Sequence, residues 1–383
     1  MPADSSSDIL VIGAGIAGAS VGYWLAQHGK VTLLEREPQP GMHSTGRSAA
    51  LFMESYGTPQ VRALTMASRA FLDTPPEGFT DAPILSPRGA LMVATDELVP
   101  QLEAQWDVVR AVTDRARRLD GQQTCAMVPV LRPERIVGGV YEPDASDIDV
   151  NALHQGYLKG LRRRGGRVVC DAEVTHMERV GNVWQVHAGD RSYEAPLLIN
   201  AAGAWADVVG RMAGAQPIGL MPKRRSAFMF SLPQGLAFAR WPMCAGVDES
   251  WYIKPDAGQM LGSPANADPV EPQDVQPEEL DIAIAIDRIE TLTTLRIVRP
   301  TRTWAGLRSF VADGDLVGGF DPDLPGFFWI AAQGGYGIQT SAAMGEACAA
   351  LATGQAIPDR IARFGLSAAM LSPGRLRATS ASS

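Results

Sequence analysis

Cysteine is scarce in this chain: Cys125, Cys170, Cys244 and Cys348 are spread through 383 residues and form no C-x-x-C pair. That spacing excludes a thiolate metal site and a disulfide framework, and no other metal-ligand pattern is present. Positive charge is also short, with 34 Lys and Arg against 42 Asp and Glu and a net charge of −8. Nothing resembles a basic stripe, which excludes a nucleic-acid partner. The densest cationic group, Arg162-Arg163-Arg164, follows the periodic run Leu153-Tyr157-Leu158-Leu161 and reads as a solvated helix end, where cations suit the dipole. No apolar run reaches the ~18 residues of a membrane span. The first eight residues lack a cationic n-region, so the apolar run behind them reads as a strand and not as a secretion signal. Reduced cysteines and no export signal predict a cytoplasmic protein, with peripheral membrane contact left open. There is no internal repeat.

What is present is concentrated near the start. The apolar run Ile9-Leu10-Val11-Ile12 is followed by Gly13, Gly15 and Gly18, a helical stretch from Ala17 to Leu25, a second apolar run Val31–Leu34, and Glu35. This is the strand, glycine turn, helix, strand and acid of a dinucleotide fold: the first glycine makes the turn, the second lets backbone approach a pyrophosphate, and the third lets helix and strand pack closely. The helix N-terminus presents N–H groups to phosphate. Glu35, 22 residues past Gly13, is placed to accept hydrogen bonds from a ribose and to repel a 2′-phosphate. Only one such fingerprint exists, so one dinucleotide is expected.

The hydrophobic fraction of 46% and charged fraction of 20% are ordinary for a globular protein, and the length predicts about two domains. Segments 1–82, 146–215 and 304–383 carry the nucleotide-fold patterns. Segments 83–145 and 216–303 carry strand-like runs such as Ala90–Ala94, Ala227–Ser231 and Ser250–Lys254, with a Pro- and Asp-rich loop at Ser263–Asp274. The predicted architecture is α/β: a Rossmann-like domain interleaved with an antiparallel-rich substrate domain, with a ligand site at their boundary. The small, hydroxyl-rich run from Gly41 to Ala50 and the helix start near Gly337 favour FAD, since a helix N-terminus there would stabilise charge on a reduced flavin. The polar tail 376–383 is expected to lack order.

Six long segments then carry a resemblance over the whole chain: Val11–Ser20, His43–Ala50, Tyr56–Val61, Pro222–Phe228, Thr303–Phe310 and Ala332–Thr340. They resemble the D-amino-acid oxidase and sarcosine oxidase superfamily of FAD enzymes, and within it bacterial D-arginine dehydrogenase. The resemblance implies non-covalent FAD and oxidative deamination of a D-amino acid to an imino acid, then a 2-oxo acid and ammonia, by hydride transfer to flavin N5. It implies that Arg225 and Arg308 clamp the substrate carboxylate, that the Tyr252 hydroxyl assists, that the Gly335 backbone accepts from the amine, and that Tyr56 forms a mobile wall. Arginine suits that task because its planar fork binds carboxylate bidentately. On a strand, Arg224 and Arg225 point to opposite faces.

The cofactor contacts so implied are Gly13, Gly15, Gly18, Glu35, Arg36, Ser44, Thr45, Arg47, Ser48, Val174, Ala202, Gly203, Gly334, Gly337, Gln339 and Thr340. The side-chain pocket is assigned to Leu51, Met53, Ala90, Met243 and Ala245. At Ala90 the D-arginine relative has a glutamate that pairs with the guanidinium, and at Leu51 and Met53 it has histidine and threonine. Three polar groups replaced by apolar ones predict a preference for apolar or aromatic D-amino acids over D-arginine, with Glu54 as the acid able to reverse it. The alternatives are an oxidase of secondary, N-alkyl or cyclic amino acids and, with less support, a flavin-binding scaffold without turnover. A quinone, another acceptor or O2 would reoxidise the flavin.

Overall fold

The computed structural model describes residues 6–377, so the predicted tail from Ala378 onward lies outside the described residues. The first sheet has the order Val317–Phe320, Phe327–Ala331, Leu197–Asn200, Ile9–Ile12, Val31–Leu34 and Arg167–Val169. Its pairs are parallel except at the edge strand Val317–Phe320. Apolar runs without alternation suit such strands, because both faces are covered. Ile9 and Val11 point into a core with the helices Ile16–Leu25, Val150–Arg163 and Gly337–Ala352. Leu10 and Ile12 point into a second core with the three-stranded meander Val174–Val180, Val183–Ala188 and Arg191–Ala195.

The glycine turn works through close approach. Gly13 has φ 98°, and a Cβ on Gly18 would lie 1.9 Å from the Gly13 carbonyl oxygen. Only hydrogen fits there, so the helix starts directly on the strand end.

The second sheet is larger and mostly antiparallel. It runs from Met221–Phe230 through Gln259–Ser263, Tyr252–Asp256, Met243–Gly246, Ala90–Ala94 and Gly138–Glu142 to Arg117–Asp120. One parallel pair joins Met243–Gly246 to Ala90–Ala94. The strand Arg302–Phe310 pairs along its length with Met221–Phe230, so the division expected at 303/304 cuts a strand that belongs wholly to this sheet. Leu91 and Val93 face a core capped by the helix Glu279–Leu292, while Ala90 and Met92 face the opposite way, into a small cluster with Met53 and Ala245. Strand alternation therefore gives this sheet one structural face and one face free to line a site.

Candidate active site

Two clefts lie on either side of one strand. Leu307 and Ser309 line a cleft of about 1260 Å³, open mouth included, and Arg308 between them lines a pocket of about 830 Å³. Period-2 alternation in Arg302–Phe310 thus assigns neighbouring residues to different clefts. The turn Gln333–Gly335 repeats the division: Gln333 and Gly334 face the larger cleft and Gly335 the smaller.

The larger cleft brings together Gly13, Gly15, Glu35, Arg36, Ser44, Thr45, Val174, Ala202, Gly203 and Gly334 of the expected cofactor contacts. Glu35 accepts from the Ala14 N–H at 2.9 Å and from the Glu37 N–H at 3.1 Å, which aims its carboxylate at the glycine turn. Thr45 Oγ1 accepts from the Ile16 N–H at 2.9 Å and so caps the helix that begins there. His43 and Trp205 also line the cleft, their rings 4.9 Å apart, and the Arg36 guanidinium lies 4.7 Å from the Trp205 ring. His43 Nδ1 is buried without a partner while its Nε2 contacts Glu37 Oε1 at 2.8 Å. An unpaired buried ring nitrogen, an acid and a glycine turn along one elongated cleft fit a dinucleotide.

Several expected cofactor contacts are placed elsewhere. Gly18 is enclosed in the turn and serves packing. Arg47 lies outside the cleft, its guanidinium used on Asp274 Oδ1 at 2.5 Å and on the Val275 carbonyl at 3.0 Å, so it ties the hydroxyl-rich loop to the second domain. Ser48 and Gln339 line the smaller pocket. Gly337 is the first residue of its helix, packed against Gln333, and the Thr340 hydroxyl donates to the Tyr336 carbonyl at 2.9 Å inside that helix. Neither of the two reaches a cleft.

The smaller pocket brings together Leu51, Met53, Tyr56, Arg225, Met243, Ala245, Tyr252, Arg308 and Gly335. Arg308 lies against the Gly335 backbone: a Cβ there would sit 2.8 Å from its guanidinium. Arg225 points inward with its Nε buried and unpartnered. Arg224 points the other way, to Asp281 Oδ2 at 3.1 Å and to Glu278, as alternation requires. Burial and the neighbouring Arg308 charge push the Arg225 guanidinium down to about 10, still charged at neutral pH. Burial opposes charge on Arg308 too, but the Tyr56 and Tyr252 hydroxyls hold it above its ordinary value. Burial also raises the Tyr56 phenol, which therefore stays protonated and acts as a donor. Two like charges converge here on apolar walls, so an anion would complete the pocket.

Ala90 is corrected: it is buried in one cluster with Met53 and does not line the pocket, and Met92, two residues along the same strand face, takes its place in the lining. Glu54 turns away, its carboxylate 2.7 Å from Arg69 Nε. The acid that does line the pocket is Glu249, exposed at the mouth, whose Oε2 accepts from the Tyr56 hydroxyl at 3.3 Å. Period-2 extension from Ala90 would have found Met92. Glu249, in an Asp-Glu-Ser turn, carries no sequence signal.

The pattern of FAD dependent oxidoreductases matches residues 8–351. The chain belongs to that family, and FAD is its cofactor. It is 25% identical over 398 residues to FAD-dependent oxidoreductase domain-containing protein 1 of Bos taurus, covering 90% of this chain and 80% of that one. It is 24% identical over 263 residues to the mitochondrial dimethylglycine dehydrogenase of Rattus norvegicus, covering 67% of this chain but 31% of the relative. The fold matches glycine oxidase from Geobacillus kaustophilus with a TM-score of 0.81 at 20% identity, over 92% of this chain and 96% of the other. These similarities establish the family and not a D-arginine dehydrogenase within it. No helix among the described residues is long and apolar enough to cross a membrane.

No cysteine lines either cleft, and Cys348 is fully buried in the helix Gly337–Ala352. Heat or acid denaturation is therefore expected to release free FAD into the supernatant. Yellow colour remaining in the precipitate would show a covalent link.

Proposed function

We propose that this enzyme oxidises the Cα–N bond of an α-amino acid, in the D configuration and with apolar or aromatic side chains preferred, to an imino acid that hydrolyses to a 2-oxo acid and ammonia. The observation that carries the reading is the pair Arg225 and Arg308 in an apolar pocket that shares a strand with the cofactor cleft. A substrate carboxylate relieves their mutual repulsion and accepts from both forks. Tyr252 and Tyr56 add hydroxyls at the same end of the pocket. Glu35, His43 and the glycine turn would hold the FAD, which when bound takes up the two electrons of the oxidised C–N bond. The chain's own residues would orient the substrate: the arginines hold the carboxylate, the Gly335 carbonyl accepts from the amine, and Tyr56 closes the wall. Oxidation needs the amine neutral, and its proton goes to water, because the Tyr56 phenol is held protonated.

Leu51, Met53, Met92, Met243, Ala245 and Trp251 form most of the apolar part of the lining, beside Lys254, whose ammonium is used on Asp147 at 2.9 Å. A cationic side chain would be desolvated among them at a cost of several kcal/mol, whereas an apolar one gains ~25 cal/mol per Å² buried. Anaerobic bleaching of the flavin, run over a panel, is expected to give higher kcat/KM for D-leucine, D-methionine and D-phenylalanine than for D-arginine. A clear D-arginine preference would overturn the apolar reading and point to Glu249 as the guanidinium partner, in which case Glu249→Gln should abolish it. The similarity to dimethylglycine dehydrogenase and glycine oxidase favours a second reading, oxidation of N-alkyl amino acids at the same clamp. Faster bleaching by sarcosine or N-methyl amino acids would select it, and peroxide formation in air separates oxidase from dehydrogenase.

A further inference from the structure

Glu142 is a buried acid with no role in the clamp. It ends the strand Gly138–Glu142, is 2% exposed, and among the described residues takes part in no ion pair. Its carboxylate is used entirely on one turn: Oε1 accepts from the Glu54 N–H at 3.1 Å, and Oε2 accepts from the Ser55 hydroxyl, itself buried. Burial raises the Glu142 carboxyl above the usual carboxylate range, an energetic burden that an apolar residue would not carry.

The turn it holds is the pocket wall. Leu51, Met53 and Tyr56 line the pocket from this segment, while Glu54 and Ser55 face away from it. The other ties are that Gln339 Oε1 accepts from the Met53 N–H at 3.2 Å, the Tyr56 N–H closes the turn on the Met53 carbonyl at 3.3 Å, Glu54 pairs with Arg69, the Tyr56 hydroxyl reaches Glu249, and the Tyr56 ring meets that of Tyr336 at 5.1 Å. Of these, Glu142 alone binds two consecutive residues of the turn from behind.

We propose that Glu142 is a positioning residue: its carboxylate sets the turn Met53–Tyr56 against the pocket and thereby sets substrate affinity, leaving the arginine clamp to govern the chemical step. The kinetic part of this rests on the amino-acid reading above; the structural part does not. In the FAD-loaded enzyme, Glu142→Leu removes both acceptors at similar size. It is expected to raise KM for D-leucine about tenfold while the limiting rate of flavin reduction stays within about threefold. Amide exchange at Glu54 and Tyr56 should accelerate about tenfold, with exchange in the helix Pro59–Asp73 unchanged. Glu142→Gln, which can accept from Glu54 and donate to Ser55, should recover most of the affinity. Should the leucine variant fail to fold, Ser55→Ala is expected to show the same direction with a smaller rise. Unchanged KM and exchange, or an acceleration spread equally over the whole chain, would overturn the proposal. If D-leucine does not bleach the wild-type flavin, the functional reading fails while the exchange measurement still decides the role of Glu142.

Discussion

Arg308→Met is expected to keep its FAD and to lose roughly 3–5 kcal/mol in kcat/KM for a D-amino acid, a fall of two to four orders of magnitude. The guanidinium lies against the Gly335 backbone and shares the pocket with Arg225, so its removal leaves a substrate carboxylate half-paired among apolar walls. Methionine fills similar volume, which keeps the strand and its neighbours in place. The FAD should remain because Leu307 and Ser309, not Arg308, face the cofactor cleft. Near-normal kcat/KM in this variant would remove the clamp.

Gly18→Ala should yield no FAD-loaded protein. The added methyl would lie 1.9 Å from the Gly13 carbonyl oxygen and 3.0 Å from its carbon, both backbone atoms. Neither can step aside, since Gly13 donates its N–H to the Leu34 carbonyl at 2.8 Å and packs against the Ala201 carbonyl. Helix and strand must then separate, at more than the ~1–3 kcal/mol of ordinary overpacking. The measure is flavin absorbance per protein after purification. Full flavin content with an unchanged Tm would show that the turn tolerates a side chain there.

Prediction from sequence succeeded where a short stretch contains its own geometric reason. Ile9–Ile12 and, apart from the hydrogen-bonded Thr32, Val31–Leu34 are apolar on both faces because both faces are covered, and the glycines between them have one workable arrangement. The opposite facing of Arg224 and Arg225 follows from strand alternation alone. It erred where a side chain's partner is remote. Arg47 sits among cofactor-loop residues yet is spent on Asp274, 227 residues away. Ala90 lies two residues short of the pocket-lining Met92 on the same strand face, because a relative's pocket residue need not occupy the same depth once the surrounding cluster packs differently. For Glu54 and Glu249, two acids in turns, nothing local says which meets Arg69 and which meets the pocket.

By itself the sequence determined a single dinucleotide fold, because that depends on turn geometry and strand period within one short stretch, while the FAD family and the choice of Arg225 and Arg308 came from the resemblance of six longer segments. The tertiary structure alone decided that Arg308 and its two neighbours serve different clefts, that Glu249 stands at the mouth, and that Glu142 braces the wall. Each of these is a contact across the domain boundary or between strands, with 88 residues separating Glu142 from Glu54 and 193 separating Glu249 from Tyr56. At such separations the packing of one sheet against the other, rather than any local propensity, chooses the partner.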